Sequence, residues 1–116
     1  MPTPIPTKKN PLKLNKLQLR TLVLAQVIGR DERQAVHHPN GDVTLSQLPH
    51  AHGDHVHVGE FVVSAKDTSG FANPAVWAAL VRKGLVKDIG QPITLTVEGV
   101  AYNTGLGDKF LEKSDH

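Results

Sequence analysis

The pattern of apolar and polar positions divides this chain into four stretches. In the first, Asn15 followed by Gln18 has the spacing of a capping box, and LQLRTLVLAQVIGR then supplies strong helix formers as far as Gly29. This spacing predicts a helix over residues 16–29. Its second half, Leu22 to Ile28, is apolar nearly all round, which calls for burial on more than one side. Such a helix is either the centre of the fold or the lining of a homodimer interface.

Next, segments rich in Val, Thr, Leu and Phe alternate with two turn signals, Pro39-Asn40-Gly41 and Gly53-Asp54. They predict a three-stranded antiparallel meander with strands at 34–38, 43–49 and 55–65. Pro49 suits the end of the second strand only on a sheet edge. A loop, DTSGF, leads into Asn73-Pro74, an N-cap followed by proline at the first helical position, and Gly84 is the C-terminal stop. Between them a helix is expected over 74–83, with Val76, Trp77, Leu80 and Val81 on one face and Trp77 as a core anchor. Finally, Leu85-Val86 and Ile93-Thr94-Leu95 bracket a short loop containing Gly90 and Pro92. Thr96 then caps a last helix, 97–104, stopped by Gly105. The class is α+β.

At 116 residues the chain has the length of one domain with one modest core. Four prolines in the first dozen residues predict an extended, flexible arm over 1–14, leaving a single domain over 15–106 and a flexible tail over 107–116. Charge is distributed unevenly. Residues 1–30 carry six basic side chains, Lys8, Lys9, Lys13, Lys16, Arg20 and Arg30, and no acid, whereas the remainder sums to −4. A basic arm of this kind is either a solvated tail or a contact for nucleic acid, an acidic partner or an anionic surface. The N-terminus lacks the apolar core of a secretory signal, and no apolar run approaches the roughly 18 residues of a membrane span, so the expected location is cytoplasmic with no membrane partner. With no cysteine, any metal must be held by imidazole, carboxylate or water.

The distinctive chemistry is the cluster His50, His52, His55 and His57. Taking Gly53-Asp54 as a two-residue hairpin loop, His52 faces His55 and His50 faces His57, and all four imidazoles project from one side. Opposed β-carbons are then about 5 Å apart, within reach of one ion. Neutral nitrogen donors suit Zn or another divalent transition metal such as Ni, Cu or Fe. His37, His38, Asp54 and Glu60 are candidate additional ligands or partners of the ligating rings. The same four rings also read as an ordinary polar hairpin face, or as a pH-sensitive surface, because neighbouring imidazoles with a pKa of about 6.5 repel once protonated.

His50-Ala51-His52-Gly53-Asp54-His55 also matches the HxHxDH pattern of the metallo-β-lactamase superfamily. That fold is about twice this length and needs ligands downstream that are missing here, so its catalytic roles are not transferred. Nucleophile-elbow glycines are absent around Ser46, Ser64 and Ser69, and no catalytic residue is assigned.

The stretch AVWAALVRKGLV, a short loop and ITLTVEGVAY resemble the second half of a winged-helix domain over about residues 74–104. The resemblance rests on Arg82, Lys83, Gly84, Leu85 and Val86, then Leu95, Thr96 and Gly99, with helix 16–29 in the place of the family's first helix. It implies a recognition helix, a wing hairpin and either DNA binding or protein interaction. The chain departs from the family where a second helix should precede the recognition helix, since the histidine-rich segment stands there. The candidate recognition helix is Ala-rich and brings only Arg82 and Lys83 to phosphates or bases. Three readings follow. The first is a winged-helix-like module with a metal-capable histidine face. The second is a nucleic-acid-binding regulator using Lys8, Lys9, Lys13, Lys16, Arg20, Arg82 and Lys83. The third is a dimerisation module without metal.

Overall fold

The computed structural model describes residues 10–46, 55–58, 61–87, 92–105 and 112–113. Its elements run α1 (Lys16–Gly29), β1 (Ala35–His37), β2 (Val43–Leu45), β3 (His55–Val58), β4 (Phe61–Ser64), a 3-10 helix (Ala65–Ala72), α2 (Pro74–Arg82), β5 (Thr94–Leu95), α3 (Val97–Ala101) and β6 (Glu112–Lys113). The α+β class holds.

Helix α1 begins where its capping box places it. The Gln18 backbone N–H donates to Asn15 Oδ1 at 2.8 Å, and the Asn15 N–H donates to Gln18 Oε1 at 3.0 Å. Every residue from Thr21 to Gly29 is buried. The all-round apolar surface is thus consumed within the chain, and α1 is the central helix. Of the two roles expected for this helix, that of the central helix accounts for the burial of its second half.

Strands β1 and β2 form the expected hairpin, registered Ala35↔Leu45 to His37↔Val43, with Gly41 at φ 97° in its turn. The third strand of this sheet is β5, paired to β2 as Val43↔Leu95 and Thr44↔Thr94, and not the 55–65 segment of the expected meander. That segment is itself two strands. β3 and β4 are antiparallel, from His55↔Ser64 to Val58↔Phe61, and a second three-stranded sheet has the order β3-β4-β6. Only Gly59 and Glu60 lie between the paired Val58 and Phe61 in the sequence. The apolar run disguised this reversal because both strands share its composition.

The DTSGF segment is also helical rather than a loop. The 3-10 helix packs on α1 so closely that a β-carbon at Gly70 would collide with Thr21 Oγ1. It turns into α2 through Asn73, whose side chain accepts from Ala75 N–H at 3.0 Å. Phe71 stacks on Trp77 at 6.1 Å between ring centroids, and Trp77 Nε1 donates to Phe71 O at 2.9 Å. Gly84, at φ 78°, ends α2, and Leu85 N–H closes back on Leu80 O at 3.0 Å. Val86 then bridges antiparallel to Leu95, which also pairs with Val43 of β2. Helix α3 stops at Ala101, short of the expected 104, because Tyr102 is extended at φ −61°, ψ 132°.

The core joins α1 to these elements through Leu22, Leu24, Ile28, Leu45, Leu80, Leu85, Ile93 and Leu95, all at most 1% exposed. Part of the expected arm and part of the expected tail are described. Asn10 N–H donates to Asn103 O at 2.8 Å, Leu12 N–H to the Tyr102 hydroxyl at 2.9 Å, and Leu14 is buried. In the tail, Glu112 and Lys113 pair with Val62 and Phe61. No helix among the described residues is long and apolar enough to cross a membrane.

Candidate functional site

The end of α2 gathers exposed positive charge. The helix buries Val76, Trp77, Ala79 and Leu80, leaving Pro74 and Ala75 exposed and Arg82 at its open end. Arg82 and Lys83 end it, a location where cations complement the helix dipole. The left-handed Gly84 turns the chain toward the Val86–Leu95 bridge, and the exposed Lys87 follows, its N–H donating to Thr94 O at 2.8 Å. Arg82, Lys83 and Lys87 form no ion pair among the described residues. Sequence reading found the first two and missed Lys87. Its signal was the apolar Leu85-Val86 dipeptide, which anchors a strand and so leaves the next residue on the rim.

The other candidate cations are spread out. Lys13 and Lys16 are exposed before and at the start of α1, Arg20 is half-buried one turn on, and Lys8 and Lys9 lie outside the described residues. Lys13, at φ 56°, belongs to the turn that leads from Asn10 to the buried Leu14.

Of the histidine cluster, His50, His52, Asp54 and Glu60 lie outside the described residues, and with them the expected pairing of His50 with His57 and His52 with His55. His55 and His57 are placed two apart in β3, opposite Ser64 and Val62 of β4. The two further candidates sit on the other sheet and serve local bonds. His37 Nε2 donates to Gly29 O at 2.6 Å, closing the C-terminal end of α1, and His38 Nε2 pairs with Thr44 Oγ1 at 2.7 Å. Thr44 Oγ1 is in turn 2.9 Å from Thr94 Oγ1. No three potential ligands gather around one point among the described residues.

A cleft that the sequence did not announce opens beside His37. Residues distant in the chain, Gln26 and Arg30 of the α1 end, Val43 of β2, Leu95 of β5 and Val100 of α3, line about 310 Å³. On the outer face of the same sheet a wider polar cleft is lined by His38, Asn40, Thr44, Lys87 and Thr94. No family model matches this chain, and neither a curated protein nor a solved structure does.

Proposed function

We propose that this chain is a winged-helix-like module that binds nucleic acid through its phosphate backbone without reading base sequence. The observation that carries the reading is the arrangement of three parts. The 3-10 helix and α2 form a consecutive helical pair against α1, and Val86 and Lys87 run antiparallel to Leu95 and Thr94, which pair with β2. The 3-10 helix occupies, in chain order, the place of the second helix that the winged-helix pattern requires and the sequence lacked. Arg82, Lys83 and Lys87, at the end of the helix in the recognition position and the root of the wing, supply cations for phosphates. The exposed Ala75 and half-buried Ala78 give α2 no donors for base edges, which favours backbone contact over base readout.

Fluorescence anisotropy with random-sequence duplex DNA at low salt tests the reading. Binding is expected to weaken with salt. The Arg82→Ala, Lys83→Ala, Lys87→Ala variant should bind more weakly, with a log–log salt slope shallower by up to about 0.9 for each phosphate it no longer neutralises. No anisotropy change at about 100 micromolar protein, the weak end of ordinary non-specific affinities, sinks it.

A second reading attaches to β3, where His55 and His57 have the two-residue spacing that a metal held by His50, His52, His55 and His57 would need. Calorimetric titration of tag-free protein with zinc should show a site that the His52→Ala, His57→Ala variant loses. Equal weak heats from both proteins would rule it out.

A further inference from the structure

The cleft at the C-terminal end of α1 has no part in the nucleic-acid reading and stands independently of it. Its walls come from elements far apart in sequence: Gln26 and Arg30 from α1 and its cap, Val43 and Leu95 from the paired strands, and Val100 from α3. Two glycines help to shape it. Gly29 lets β2 approach α1, since a β-carbon there would stand 3.3 Å from Val43 Cγ1, and Gly41, at φ 97°, lies against Val97. The apolar side chains continue onto the rim, where Val97 and Val100 are 45% and 41% exposed.

The polar groups around the cleft are nearly all committed. Gln26, 8% exposed, donates through Nε2 to Gly99 O at 2.9 Å and Tyr102 O at 3.0 Å, tying α1 to α3. Asp42 accepts from Val97 N–H on Oδ1 at 3.2 Å and from Asn40 Nδ2 on Oδ2 at 3.1 Å. His37 and His38 use their Nε2 atoms on Gly29 O and Thr44 Oγ1. The carbonyls of Val27 and Ile28 already accept from Arg30 and Asp31 N–H. The exception is the Arg30 guanidinium, which has no partner among the described residues.

We infer that this cleft binds a small organic carboxylate with an apolar, ring-sized body. The carboxylate meets Arg30, whose planar fork matches two oxygens, and the body packs on Val43, Leu95 and Val100. An apolar cleft with a few polar and charged groups around it, here including Arg30 and Asp42, is the usual construction of a small-molecule site, and about 310 Å³ lies at the lower end of such sites. Asp42 lines the same cleft and, held only by the neutral Val97 N–H and Asn40 Nδ2, keeps its negative charge, so Asp42→Asn should strengthen the binding of both acids.

Nuclear magnetic resonance on the full chain provides the test, with benzoate and cyclohexanecarboxylate as probes and benzyl alcohol as the neutral comparison. Both acids should shift the amides of Gly29, Arg30, Val43, Leu95 and Val100 saturably. Arg30→Gln should weaken the acids about tenfold, as expected for one charge-assisted pair, while leaving the alcohol unchanged. Val100→Trp fills the cleft from an exposed position and should abolish binding, with the rest of the spectrum reporting an intact fold. The inference is overturned by no saturable shift with either acid, by equal binding of the alcohol and the acids, or by acid binding insensitive to Arg30→Gln. Shifts confined to Arg82, Lys83 and Lys87 would equally overturn it, as general anion binding elsewhere.

Discussion

Thr96 and Gly99 show why a short motif such as LT-x-x-G carries structural weight. Thr96 Oγ1 donates to Gly84 O at 2.7 Å and accepts from Gly99 N–H at 3.0 Å, so one hydroxyl joins the end of α2 to the start of α3. Gly99 is present because its backbone lies against Leu85 O, where a β-carbon has no room. Thr96→Ala should therefore cost about 1–2 kcal/mol. Gly99→Ala should cost about 1–3 kcal/mol or more from overpacking against backbone, read from urea denaturation midpoints. Thr21 offers a coupled case. Its Oγ1 is buried with no hydrogen-bond partner among the described residues and occupies the space into which a β-carbon at Gly70 would point. Thr21→Ala should be nearly neutral, because the reduced packing is offset by removal of an unpaired hydroxyl. It should also recover part of the destabilisation caused by Gly70→Ala, a non-additivity that a double-mutant cycle measures directly. At the surface, hydrogen bonds from the Arg33 side chain and backbone hold the Asp31 carboxyl below the usual carboxylate range. A carboxyl depressed in the folded state stabilises above its unfolded value and loses that contribution as pH falls through the folded one. Titration by nuclear magnetic resonance should show the low midpoint in the native protein and its rise in Arg33→Ala.

Among the elements, helices were read more accurately than strands, and the reason is where their signals reside. Asn15 with Gln18 and Asn73 with Pro74 are local caps, complete within four residues, and α1 and α2 start where those residues dictate. Replacing the first cap, Asn15→Ala, should cost about 1 kcal/mol, visible as a lower thermal midpoint by circular dichroism. Strand pairing has no such local record. Val43 and Thr44 look equally ready to pair with any neighbouring apolar run, and their partner turns out to be Leu95 and Thr94, some fifty residues on. The 55–65 run reads as one strand because alternation cannot distinguish one long strand from two short ones of the same composition. The 3-10 helix escaped notice for a related reason. Asp67-Thr68-Ser69-Gly70 has turn chemistry, and its helical form depends on packing against Leu17 and Thr21 of α1.

For the molecule as a unit, the described core is built entirely between Leu14 and Leu95, with Tyr102 packed against it. Ending the chain at Gly105 removes β6 and none of these residues. Such a shortened chain should still unfold cooperatively, with a thermal midpoint a few degrees lower at most. Removing residues 10–14 as well should cost more, because Leu14 and the Asn10–Tyr102–Asn103 bonds go with them. The charge layout also works at this level. The N-terminal excess of positive charge is legible in the sequence, but its grouping is not. The fold leaves Arg82, Lys83 and Lys87 exposed at and after the end of α2, and it sets Arg30 on the edge of an apolar cleft.

Composition and local pattern sufficed for the α+β class, for α1 and α2 with their caps, for a histidine-rich segment of unusual chemistry and for the burial of Leu22 to Ile28. These follow from interactions among residues a few positions apart, which a linear reading samples completely. The partner of β2, the reversal between Val58 and Phe61, the helical state of residues 65–72 and the cleft beside Arg30 required the assembled fold. Each depends on groups tens of residues apart competing for the same buried surface, and that competition is resolved by packing against α1, which no local window contains.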